Sequence, residues 1–350
     1  MKPVSNAQAS ELRRRLKAAG LFELRPWVAF SRFLAMVGIS LGLLTAFLLT
    51  PWWAAFVLLP MLALSISAAV LYGHEGSHNS FSDNKTLNAV FAHACFPAMA
   101  GLGLTYWDRR HNGPHHAHPN LVTEDRRDPD IKLWPLATCV EDYDNASAPR
   151  RWFQKNLQGV LFWPLTGFVH LRMRGISIIM LFKRLFNEGP SWAVAIEAAC
   201  LAFHYTTWIV LPAMVFGIVP TLVTYMVLGT LISWVLSVIF VPAHVGLPNY
   251  RDYPDFWSLQ LYGTQNILLP RWLSYFYVGL DHQVEHHLFP KLPSYNMHKA
   301  SPIVRQWAEE NGLPYQAQGF WEGLAMSTRF LAGGWNVRPE AEARVQPAAK

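Results

Sequence analysis

Ten of the fourteen histidines of this 350-residue chain crowd into four short stretches. The first, His74-Glu75-Gly76-Ser77-His78, sets two imidazoles four residues apart, on one face of a helix, where both reach one metal ion. Taken alone it also fits HExxH, in which two histidines hold zinc and Glu75 serves as general base. The second runs from Trp107 to Asn120, where His111, His115 and His116 repeat the pair spacing and add a neighbour. Pro114 interrupts a continuous helix there and suits the first turn of a new one. The third, GLDHQVEHHLFP, carries His282, His286 and His287. The fourth is His244 alone, in Pro242-Ala243-His244-Val245-Gly246. His118 is a weaker candidate, and the lone His93, His170, His204 and His298 are expected to be hydrogen-bonded structural residues.

Uncoordinated imidazoles are costly to gather in apolar surroundings, and a metal removes that cost. A zinc site takes four ligands, usually with cysteine or carboxylate among them, so eight or nine imidazoles suit two ions. Imidazole sets favour iron, copper, zinc or nickel, and nitrogen alone does not separate these. Redox chemistry on unactivated carbon requires a metal that changes oxidation state, which zinc does not. Carboxylates are expected to fix the imidazole tautomers from behind, and Glu75, Asp128, Asp130, Asp281 and Glu285 are the candidates.

The elements that position these residues are apolar spans of about 20 residues, the length that crosses a bilayer. They are predicted at 28–49, 53–72, 192–216 and 222–241, as two hairpins with tight turns. Weaker apolar stretches at 87–104 and 157–186 contain Asn88, His93, His170, Arg172 and Arg174, and are read as interfacial or partly buried helices. Residues 1–27 form a polar, basic segment with an amphipathic helix from about Ala7 to Ala19, expected to lie on the membrane surface. Residues 28–300 are the membrane domain, and 301–350 a cytosolic C-terminal region with a disordered tail. The basic N-terminus precedes a full span, so a cleaved signal peptide is not expected. The fold class expected is all-α and polytopic, with four transmembrane helices and a helical cytosolic cap carrying the metal site.

Charge supports this topology. The chain has 29 Lys+Arg against 23 Asp+Glu, and neither hairpin turn carries a basic residue. By the positive-inside rule both termini and all histidine stretches face the cytosol, and a bacterial inner membrane is the expected location. The net charge of +6 does not indicate nucleic acid, because no basic stripe interleaves with aromatics. The three cysteines, Cys95, Cys139 and Cys200, form no CxxC pair and are read as free thiols.

The three histidine boxes resemble those of the membrane fatty acid desaturases, and the match is most specific in GLDHQVEHHLFP and in the stretch from His111 through Asn120 to Asp128-Pro129-Asp130-Ile131. It covers about residues 28–300. The resemblance implies a non-heme di-iron centre held by His74, His78, His111, His115, His116, His286 and His287, with His244 matching an isolated ligand after the last span. Many members carry histidine where this chain has Gln283. Adjacent helical residues point about 100° apart, so the ligand slot falls either to Gln283 or to its neighbour His282.

The activity implied is oxygen-dependent desaturation of a fatty acyl chain, with two hydrogens removed from neighbouring methylenes and dioxygen leaving as water. Two external electrons are needed per turnover. The chain shows no dinucleotide fingerprint and no HPGG string of a fused haem domain, so a separate ferredoxin or small cytochrome with its reductase is the expected partner. Arg109, Arg110, Arg126, Arg127, Arg150 and Arg151 would serve its docking. Related chemistries at the same centre are hydroxylation and triple-bond formation. An intramembrane zinc protease using HEGSH leaves the other boxes unexplained. A metal transporter would place histidines along the spans.

Overall fold

A computed structural model describes residues 1–336, apart from the side chains of Trp52 and Ala55. The tail expected over the last dozen residues therefore lies outside the described residues. The described residues are mostly helical. In order come α1 (Asn6–Ala18), α2 (Pro26–Leu49), α3 (Ala55–Ser77) and α4 (Lys85–His93), which continues into a π-helical turn, Ala94–Ala100. Next is α5 (Leu104–Trp107), running into a second π-helical turn, Asp108–His115, followed by α6 (Val140–Asp144), α7 (Ala148–Asn156), α8 (Gln158–Thr166) and α9 (Val169–Glu188). Then come α10 (Trp192–Tyr205), α11 (Leu211–Phe216), α12 (Ile218–Phe240), α13 (Phe256–Gly263), α14 (Arg271–Phe276), α15 (Gln283–Leu288), α16 (Ser294–Glu310) and α17 (Phe320–Arg329). One small parallel sheet joins β1 (Asn266–Leu268) to β2 (Ala317–Gly319).

Four stretches are long and apolar enough to cross a membrane: Pro26–Leu49, Phe56–Ser77, Trp192–Phe216 and Ile218–Phe240. They match the four predicted spans, with three differences. The second runs on to Ser77, so the first histidine box is the last turn of the span itself. The third is interrupted at Thr206–Val210 by a π-helical turn between α10 and α11. The fourth begins at Ile218, directly after a turn made by Gly217 at φ +83°. The two weaker stretches are bent helix pairs, turning 105° between Lys85–Ala100 and Leu104–His115 and 66° between α8 and α9.

Helix α1 departs from expectation. Ser5 and Gln8 cap its start reciprocally. Its apolar face (Leu12, Leu16) is fully buried in the core that also holds Val304 and Trp307 of α16. Enough apolar surface exists on α16 to cover α1, so the helix joins the cap.

Close backbone approach fixes the first box. A Cβ on Gly73 would meet Cys95 at 2.6 Å, and one on Gly76 would meet the Asn88 carbonyl at 2.8 Å and the Ala92 amide nitrogen at 2.9 Å. The glycine inside HEGSH is thus a packing requirement that lets α4 and its π turn lie against α3.

Candidate metal centre

The second box does not start a new helix, as Pro114 suggested. Asp108–His115 is a π-helical turn with Pro114 inside it. A π turn already departs from the i→i−4 ladder, so the missing proline N–H is tolerated. The third box is the short helix α15, fully buried.

These elements bring eight imidazoles into two adjoining clusters. His74, His78, His111, His116 and His286 form one, and His115, His244 and His287 the other; within each, one ligand atom per residue lies within 4.8 Å of the rest. The adjacent pairs divide between them. His115 and His116 go to different clusters, as do His286 and His287, because successive helical side chains diverge by about 100°. The stacked rings of His116 and His287, with centroids 4.4 Å apart, mark where the clusters meet.

Hydrogen bonds at Nδ1 set the tautomers. His111 Nδ1 donates to Asp130 at 2.9 Å and His115 Nδ1 to Asp128 at 2.9 Å. His287 Nδ1 donates to Gln260 Oε1 at 3.0 Å, and His244 Nδ1 to the Gly263 carbonyl at 3.2 Å. With Nδ1 protonated, Nε2 of a neutral ring is a bare lone pair, as at His111, His244 and His287; Nε2 of His115 becomes one once its second proton leaves. The Nε2 atoms of His74 and His111 are 3.3 Å apart, those of His111 and His116 3.2 Å, and those of His116 and His286 3.1 Å. Two nitrogens on one ion at about 2.1 Å, at right or tetrahedral angles, stand about 3.0–3.4 Å apart. Nε2 of His78 and of His287 are buried without a hydrogen-bond partner among the described residues. Inward lone pairs at this spacing, backed by carboxylates and carbonyls, fit cations.

The electrostatics agree. Burial and the neighbouring imidazoles hold His78 down to about 3 and His244 down to about 4. The same causes hold His116, His286 and His287 well below the usual histidine range. Neutral imidazole is the form that binds metal. His115 differs: burial lowers it, but Asp128 and Asp130 outweigh that and raise it to about 9.

Of the five carboxylates predicted behind the imidazoles, Asp128 and Asp130 occupy that place. Asp128 also accepts from the amides of Asn120 and Asp130 at 2.9 and 2.8 Å. The other three are committed elsewhere. Glu75 accepts from the Ser294 amide at 2.8 Å, Glu285 from Asn266 and Tyr315 at 2.8 Å each, and Asp281 from Ser274 at 2.7 Å. Neither His282 nor Gln283 enters a cluster. The Gln283 amide donates to the Leu280 carbonyl at 2.6 Å, and His282 sits 3.8 and 3.9 Å from Asp281 and Glu285. His118 instead faces the Tyr253 hydroxyl at 3.3 Å. His244, carried by the loop after α12, does enter.

Sequence reading missed the residues that reach in from distant segments. Gln260 of α13 holds His287 and donates to the His116 carbonyl at 3.1 Å, and Asn120 donates to the His244 carbonyl at 2.9 Å. No local pattern marks Gln260, and the sequence marks Asn120 only as the end of the second stretch, not as a partner of His244. The basic residues proposed for docking are largely engaged within the chain: Arg109 with Glu188, Arg126 with Asp125, Arg127 with Asp142, and Arg110 and Arg150 with backbone carbonyls.

Comparison with known proteins follows the same lines. The chain is 26% identical to Fatty acid desaturase 3 of Bos taurus over 94% of its own length and 73% of the relative's. It is 28% identical to the Delta(8)-fatty-acid desaturase of Euglena gracilis, over 92% and 77%. It is 26% identical to a Delta 8-(E)-sphingolipid desaturase of Komagataella phaffii, over 90% and 60%, so the chain spans only about three-fifths of that protein. The sequence profile described as Fatty acid desaturase matches residues 50–319, a stretch that takes in every box and His244. With spans, boxes and profile in register, this integral membrane chain belongs to the fatty acid desaturase family.

Proposed function

We propose that this chain introduces a carbon–carbon double bond into a fatty acyl chain, using dioxygen and two iron ions held by His74, His78, His111, His116 and His286 on one side and His115, His244 and His287 on the other. The observation that supports this most is the division of two adjacent-histidine pairs between neighbouring five- and three-imidazole clusters. Bound iron would supply the redox chemistry that unactivated methylenes require. The chain's own residues do the rest. Asp128 and Asp130 keep protons on Nδ1 of His115 and His111, so that each presents Nε2 inward. Gln260 ties box three to box two. The apolar spans beneath exclude water and hold the chain to be oxidised.

Electrons come, in this reading, from a separate ferredoxin or small cytochrome. Since most candidate arginines are paired internally, its docking would rest on rim charge that includes the exposed Arg151. The orientation proposed keeps both termini and the site cytosolic. A bacterial inner membrane stays a proposal, and the relatives named above are all eukaryotic. The names of those relatives point to fatty acyl or sphingolipid chains. The protease reading loses ground because His74 and His78 share their cluster with three further imidazoles.

The test is expression in a host of defined lipid composition, with mapping of new double bonds and metal analysis of the purified protein. His286→Ala is expected to abolish both iron and unsaturation. His298→Ala, at a residue that meets Arg271 on the surface, is expected to spare both. Stoichiometric zinc without iron, or an oxygen atom from labelled dioxygen in the product, would overturn the assignment.

A further inference from the structure

Helix α13 stands between the histidine clusters and the first residues of the chain. It has eight residues, about two turns, too short to hold its position without tertiary contacts. Ser258 and Tyr262, four residues apart, share one of its faces. Gln260, two residues from each, points about 200° away from them. There Gln260 Oε1 accepts from His287 Nδ1 at 3.0 Å, and the Gln260 amide donates to the His116 carbonyl at 3.1 Å.

Residues 2–4 lie over the opposite face. The ends of a chain are loose unless tied down, and these residues are tied at several points. The Lys2 amide donates to the Tyr262 hydroxyl at 3.1 Å and the Val4 amide to Asp255 Oδ2 at 2.9 Å, while the Ser258 hydroxyl is 2.9 Å from the Lys2 carbonyl. Val4 is 5% exposed, in the core that also holds Leu261 of α13 and Leu12 of α1. Just beyond, Gln8 donates to Asn311, the residue that ends α16, at 2.7 Å. Asp255 serves twice, because its other oxygen caps α13 by accepting from the Ser258 amide at 2.9 Å.

Both ends of the Gln260 amide are in use. Such bonds run from about 2.7 to 3.2 Å, so a retreat of α13 by about 0.5 Å takes both out of range. We propose that residues 2–4 are a positioning strap for the metal centre: by fixing the back of α13 they keep Gln260 on His287 and His116. They act through Gln260, not as ligands. The inference rests on the metal reading above and deepens it. The ring of His287 belongs to the three-imidazole cluster, so the ion there is the one that should respond.

The experiment uses the full-length protein and ferrous iron without oxygen, with the affinity for both ions read by chelator competition. Asp255→Asn keeps a residue that caps a helix equally well but sets an amide against the Val4 N–H. Tyr262→Phe removes the acceptor of the Lys2 amide. The double variant D255N/Y262F should bind one of its two ions about 3- to 10-fold more weakly, the worth of about one hydrogen bond. Q260A, which removes the direct partner, should lose about 10- to 100-fold. The deciding readout is the combination. In a Q260A background the strap substitutions should change iron affinity less than about twofold, whereas a general loosening of the cap gives the same loss with and without Gln260. Val4→Ser, made on the strap itself, should repeat the pattern. Wild-type affinity in D255N/Y262F overturns the proposal, as does an equal loss in the Q260A background. A loss that V4S fails to repeat also overturns it, because Asp255 and Tyr262 would then act without the strap. Wild-type protein that binds no iron overturns the metal reading and the strap with it. Two ions bound without any unsaturated product would count against the desaturase reading alone, because the combination still decides the strap.

Discussion

Asp128 shows how much one side chain sets at this centre. Fully buried, it takes the His115 Nδ1 proton and two backbone amides. Asp128→Asn presents an amide that no longer compels the Nε2-bare tautomer. Losses of 10- to 100-fold in metal affinity are typical for such partners, and a competitive chelator titration should read a loss in that range. Gln283 makes the opposite prediction. Its amide is turned to the Leu280 carbonyl, so Gln283→Ala should leave iron stoichiometry at the wild-type value. Its cost should be about 1 kcal/mol of stability, the worth of one hydrogen bond. An iron content halved by that substitution would show that Gln283 is a ligand after all.

Among the elements, α3 is the one whose packing and chemistry are least separable. It crosses the membrane, carries the first box in its last turn and receives α4 against its glycines. Gly76→Val would push a side chain into the Asn88 carbonyl and the Ala92 backbone, which are not flexible tips that swing aside. Overpacking of this kind costs about 1–3 kcal/mol. The variant should unfold at lower temperature in detergent and bind iron more weakly. A variant with unchanged melting would mean that α4 moves away from α3 at little cost.

At the scale of the whole molecule, the clusters join segments that are remote in sequence: the end of α3, the second π turn, the loop after α12, and α15. Metal bound only by the folded chain stabilises it by mass action, about 4 kcal/mol at a thousand times Kd. Stripping metal with a chelator should therefore lower the thermal midpoint of the entire cap, and ferrous iron should restore it. Superimposable melts with and without metal would show that the cap, held by α1 on α16 and by Gln260, is already rigid.

The four spans were legible because crossing hydrocarbon demands long uninterrupted apolar helices, and length and composition reveal those directly. The box histidines were legible because metal ligands on a helix fall at fixed spacings. The sequence alone thus determined the membrane class, the boxes and the family. Only the tertiary structure decided which imidazoles share a cluster, because that depends on side-chain direction in a π turn and in α15. It also left both His282 and Gln283 outside the clusters. And it alone placed Gln260 on His287 and Asn120 on the His244 carbonyl, since contacts between segments far apart in the chain leave no periodic trace in any one of them.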